Sequence, residues 1–139
     1  MKVKLDFVTN SSSSSFIVWG IRMDKGEILK NDLIMDLAYE EYKKYMKKYS
    51  KHSDPLISKE TFMQQDFGEI YHCIESVLSK EGLESASPYE YENIMIGKSP
   101  FEMKDNETAR EFKISIIEAL QNLNLPYDLD RIEDSWYDG

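Results

Sequence analysis

The chain predicts a small α+β domain. Three observations predict it: β-branched and aromatic runs near the start, amphipathic stretches of helical period in the middle and end, and a strand-like closing segment. The 139 residues are 41% apolar and 12% aromatic, which is enough for one buried core, so residues 1–139 are expected to form a single domain. The expected order is β-β-α-α-β-α-β, a mostly antiparallel sheet covered by about three helices.

Val3, Leu5 and Phe7 alternate with Lys2, Lys4 and Asp6, the period-2 pattern of a half-buried strand over Val3–Val8. The run Phe16-Ile17-Val18-Trp19-Gly20-Ile21 reads as a second, buried strand. Between them lie five serines, Ser11–Ser15. Serine hydroxyls bond local backbone and compete with regular structure, so Thr9–Ser15 is read as the loop of a hairpin. A phosphate loop would need convergent glycines and a lysine at fixed offset, and a serine nucleophile a base and a G-x-S-x-G elbow; this run has neither.

Asn31 or Asp32 is placed to cap a helix ending near Tyr49, since Leu33, Ile34, Leu37, Ala38, Tyr42, Tyr45, Met46 and Tyr49 recur at helical spacing. Ser50–Ser58, with its Lys-His-Ser-Asp-Pro stretch, breaks it. Phe67, Ile70, Tyr71, Ile74, Val77 and Leu78 then make an apolar stripe that ends at Gly82, a residue suited to a C-terminal cap. Ser85–Pro88 reads as a turn and Tyr89–Gly97 as a strand. A loop over Lys98–Asn106 leads to a helix capped by Asp105 or Asn106, with Ala109, Phe112, Ile116, Ile117, Leu120 and Leu123 on one face, ending before Pro126. Arg131–Tyr137 is expected to be the last strand.

A net charge of -9 argues against direct nucleic-acid binding, which draws its affinity from a basic footprint, and favours a protein partner of basic character. The charge is unevenly spread: Lys43, Lys44, Lys47, Lys48 and Lys51 cluster on the first long helix, and Asp128, Asp130, Glu133, Asp134 and Asp138 crowd the tail. One cysteine, Cys73, gives no disulfide framework and suits a reducing compartment. No run reaches the roughly 20 apolar residues of a membrane span, and no apolar signal core follows the first lysines, so the expected location is the cytoplasm without membrane contact.

Two surfaces are candidate partner-binding sites. The first is the acidic tail, Asp128, Asp130, Glu133, Asp134 and Asp138; joined by Glu102, Asp105, Glu107 and Glu111, it would mimic a phosphate array in the basic groove of a nucleic-acid enzyme. The second is the tyrosine-bearing helix face of Tyr42, Tyr45 and Tyr49, because tyrosine buries a large ring while keeping a polar tip. No catalytic residue, metal site or cofactor is assigned. His72 and Cys73 are sequence neighbours on different helix faces, no H-x-x-x-H, H-E-x-x-H or C-x-x-C pattern exists, and Asp128-Leu129-Asp130 lacks the third oxygen and the glycine of a calcium loop.

The segments DFVTNSSSSSFIV, Asp6 to Val18, IGKSPFEMKDNETAREFK, Ile96 to Lys113, and IEDSWYDG, Ile132 to Gly139, resemble small phage and prophage proteins that share the serine motif and have no assigned activity. Lys25–Ser87 has no counterpart in that resemblance. It implies a phage-type accessory protein in the host cytoplasm and carries no site residues. The functional expectation is macromolecular binding, in its sharpest form inhibition of a host nucleic-acid enzyme or defence system. The alternatives are a metal-dependent hydrolase using tail carboxylates and a structural or self-assembling protein.

Overall fold

Ser13–Asp24 is one continuous strand, β1, and it pairs on both sides. A computed structural model describes residues 13–49, 55–87 and 92–137, with side chains over 16–49, 55–87 and 92–133. The expected strand Val3–Val8 and the first part of the serine run lie outside the described residues. Ser13, Ser14 and Ser15 are extended and pair with Tyr137, Trp136 and Ser135, which corrects the reading of the whole run as loop. Ladder hydrogen bonds to a neighbouring strand outweigh the weak local preference of serine for turns.

Helix α1 (Lys25–Leu29), α2 (Asp32–Tyr49), α3 (Lys59–Met63) and α4 (Phe67–Lys80) follow, then β2 (Glu84–Ala86), β3 (Asn93–Lys98), a 3-10 turn at Pro100–Glu102, α5 (Ala109–Asn122) and β4 (Asp130–Tyr137). The sheet is antiparallel with order β2-β3-β1-β4. It is an α+β fold, as the sequence predicts. The Ser85–Pro88 segment departs from expectation, because Ser85 and Ala86 belong to β2 and pair with Ile96 and Met95. Of the expected strand Tyr89–Gly97, Tyr89, Glu90 and Tyr91 lie outside the described residues.

β1 meets β4 through Ser13–Gly20 and β3 through Trp19–Asp24, so the two ladders overlap only at Trp19 and Gly20. Alternation along β1 then supplies two clusters. Ile21 and Met23 join Ile94 and Ile96 of β3 beneath Ile34, Met35 and Ala38 of α2, Ile70, Ile74 and Leu78 of α4, and Phe112, Ile116 and Leu120 of α5. Val18, Met95 and Ile132, all buried, form a smaller cluster on the opposite face with Phe16 and Ala86 packed against it. A period of two sends neighbours to opposite faces, which is why Met95 leaves the company of Ile94 and Ile96.

Helix ends are set by local chemistry. Asn31 does cap α2: its Oδ1 accepts from the Ile34 N–H at 3.0 Å, while Nδ2 donates to the carbonyls of Leu123 at 2.9 Å and Asn124 at 3.1 Å, fastening α2 to the end of α5. Gly82 at φ 76° closes α4, and the Leu83 N–H reaches the Leu78 carbonyl at 2.9 Å. Asn124 at φ 56° does the same for α5, with Leu125 N–H on the Leu120 carbonyl at 2.9 Å. The cap of α5 is Thr108, not Asp105 or Asn106. Its hydroxyl accepts from Glu111 N–H at 3.0 Å and Glu111 returns a carboxylate to Thr108 N–H at 2.8 Å, a reciprocal box that the earlier residues have no Glu in register to complete.

Among the described residues no helix is long and apolar enough to cross a membrane.

A cleft between α2 and α4 as candidate functional site

Helical spacing puts Ala38, Tyr42, Tyr45 and Tyr49 on one face of α2. Along that face the side chains run from core to solvent: Ala38 is fully buried, Tyr42 half-buried, and Tyr45 and Tyr49 are 60% and 64% exposed. The expected contact surface therefore splits in two. Tyr42 is a packing residue: its ring lies 5.3 Å from that of buried Phe62 in α3, and its hydroxyl accepts from the Ile57 N–H at 3.3 Å. Tyr39 stacks beside it at 5.9 Å and donates to the Ile57 carbonyl at 2.7 Å. Both backbone polar groups of Ile57 are thus held by two tyrosines, fixing the segment before α3 against α2. Tyr45 and Tyr49 pack on each other at 4.9 Å and remain open to solvent.

A cleft of about 580 Å³ opens beside them, with Tyr42, Met46, Ile57, Phe62 and Cys73 giving apolar lining and Glu69 of α4 a carboxylate. Its size falls in the range of ligand-binding clefts. The sequence reading missed it, because Phe62 stands alone in a short helix with no periodic partner and only folding brings it against Tyr39 and Tyr42.

Two lysines of the basic cluster are spent locally. Lys43 pairs with Glu40 at 2.8 Å, Lys44 with Glu41 at 3.3 Å, and Lys80 of α4 also bonds Glu41. The Glu41 carboxyl is held below the usual carboxylate range, most strongly by the Lys80 hydrogen bond. Lys51 and His52 lie outside the described residues. His72 is exposed, 3.6 Å from Glu75, while Cys73 is half-buried; burial, then the charges of Glu41 and Glu69, push its thiol up, away from nucleophilic reactivity.

The tail carboxylates do not form one array. Asp130 shares the strand face of Ile132, whereas Glu133 lies on the other face of β4 with Arg131, to which it is bonded at 2.6 Å. Asp128 is exposed just before the strand. The side chain of Asp134, and Asp138 altogether, lie outside the described residues. Of the acids expected to join them, Glu107 accepts from Lys104 N–H at 3.1 Å and Glu111 is committed to the α5 cap. Among the described residues no group of three or more His, Cys, Asp or Glu side chains is arranged to hold a metal ion.

A second carboxyl site sits at the turn after β3. Glu84 accepts from the Ser99 N–H at 3.1 Å, yet its carboxyl is pushed up to about 7, first by loss of water around it and then by hydrogen bonding to Glu102. Folding thus raises its affinity for a proton. The associated stability is fully present below about pH 4.5 and is lost as pH rises through about 7. Glu84→Gln is expected to raise the melting temperature at pH 8 and flatten its decline between pH 5 and 8. Solvent screening at this exposed residue limits the effect to about 1 kcal/mol. Identical pH profiles for the two proteins would show that the carboxyl is not strained.

No known protein family matches this chain, and no curated protein or solved structure is significantly similar to it.

Proposed function

We propose that the protein acts by binding another protein through the tyrosine-bearing face of α2 and the cleft beside it. The observation that carries this is the exposed ring of Tyr45, which lines a cleft with an apolar floor and packs on the exposed ring of Tyr49. Exposed aromatic rings beside a concave apolar surface are what a partner side chain needs for burial. The net charge of -9 supports a partner of basic character through long-range attraction. The resemblance of both chain ends to phage and prophage proteins supports an accessory role in a host cytoplasm. The tail is the weaker surface, since β4 divides its carboxylates between two faces and Arg131 neutralises one.

Site-specific photocrosslinking in the cell that naturally makes the protein tests this. A benzophenone side chain at position 45 or 49 is expected to give a discrete protein adduct, and the same group at Ile114, an exposed apolar position on α5, is expected to give none. Tyr45→Ala with Tyr49→Ala should abolish recovery of that partner while the protein stays folded. Adducts from position 114 alone would place the surface elsewhere.

A further inference from the structure

The tyrosines of α2 are unequal in one respect that bears on what the cleft holds. Lys43 Nζ lies over the Tyr39 ring at 5.0 Å and Lys48 Nζ over the Tyr49 ring at 5.2 Å. Among the described residues no cation covers Tyr42 or Tyr45, the two tyrosines that line the cleft. Two carboxylates also line it. Glu41 is committed to Lys44 and Lys80, but among the described residues the Glu69 carboxylate has no hydrogen bond or ion pair.

We propose that the cleft is an anchor pocket for a single arginine side chain of a basic partner protein, its guanidinium lying on the Tyr42 and Tyr45 rings with Glu69 as counter-ion. The inference rests on the binding function proposed above and names the group that is bound. Ring faces attract a cation through their quadrupole, and a planar, weakly hydrated guanidinium stacks on them better than an ammonium does. The apolar lining from Met46, Ile57 and Phe62 suits the methylene stem behind the charge. Burial raises the Cys73 thiol most, and the negative charges of Glu41 and Glu69 add to that rise. An acidic segment would instead meet the Glu69 carboxylate, which among the described residues is not paired with a cation.

Isotope-labelled full-length protein, titrated with acetyl-leucyl-arginyl-leucinamide and with its citrulline counterpart, tests the assignment by NMR. Citrulline keeps the shape and loses the charge. The arginine peptide is expected to shift the resonances of Tyr42, Tyr45, Glu69 and Cys73, with the citrulline peptide binding at least about tenfold more weakly, equivalent to about 1.4 kcal/mol. Glu69→Gln should weaken arginine binding about fivefold or more with an unchanged melting temperature, as a salt-screened contact at an exposed carboxylate implies, and Glu69→Asp should restore part of it. Equal binding of the two peptides, shifts confined to β4, or preference for a glutamate peptide would each overturn the assignment. If crosslinks form at position 45 while the arginine peptide fails, the pocket is wrong and the binding surface stands. Absence of crosslinks removes the surface itself.

Discussion

Gly20→Ala and Gly97→Ala are each expected to destabilise the protein by about 3 kcal/mol or more, the upper end for overpacking a well-packed site. The two glycines face each other across β1 and β3, at the place where β1 passes from one ladder partner to the other. A Cβ on Gly20 would lie 1.9 Å from the Ile96 carbonyl oxygen, and one on Gly97 would lie 2.1 Å from that of Trp19. Both obstacles are backbone, so no rotamer change relieves them and the strands must move apart. Separation would weaken the β1–β3 ladder that places Ile94 and Ile96 under the helices. Gly26→Ala is the matched control: a Cβ there meets nothing within 4 Å, and the residue lies in α1, so the change is expected to be neutral or to stabilise by about 0.5–1 kcal/mol. Urea denaturation with unchanged slope measures all three. A loss below about 1 kcal/mol at Gly20 would mean that the strands tolerate a wider spacing than the close approach implies.

Phe62→Ala is expected to cost about 3–5 kcal/mol, the range for truncating a fully buried aromatic ring. Phe62 is 1% exposed and packs its ring 5.6 Å from Tyr39 and 5.3 Å from Tyr42. It is also the buried residue of α3, a helix of five residues held by the Ser58 cap on Thr61 N–H at 3.2 Å and far too short to persist without tertiary contacts. Losing the ring therefore removes the floor of the cleft as well as core volume. Phe62→Leu should retain most of the stability, at a cost of about 1.5 kcal/mol or less, because volume is nearly conserved. The comparison separates two effects: arginine-peptide binding should fall in Phe62→Leu, where the fold survives, if the ring shapes the pocket. A cost below about 1 kcal/mol for Phe62→Ala would show that the site collapses around the gap.

Much of the fold was legible in the sequence, and the legible part is the part written locally. Helices α2, α4 and α5 announce themselves because a buried stripe must recur every three to four residues, and Asn31 and Gly82 mark their ends through side-chain oxygen and permitted φ. The α+β class and the strands around Phe16–Ile21 and Arg131–Tyr137 were readable for the same reason. Tertiary structure alone decided the rest. Serines 13–15 are strand because β4, from the other end of the sequence, lies beside them, and Ser85 and Ala86 are strand because the chain returns as β3 alongside. The tail carboxylates looked like one array in one dimension, and the period of two turned Glu133 away from Asp130. Tyr42, Tyr45 and Tyr49 looked equivalent in the sequence, and only Phe62 and the Ile57 backbone, arriving from the next segment of chain, made Tyr42, with Tyr39, structural while Tyr45 and Tyr49 stayed exposed. Period and capping are properties of neighbouring residues, so sequence determines them; burial and pairing depend on what distant residues bring alongside.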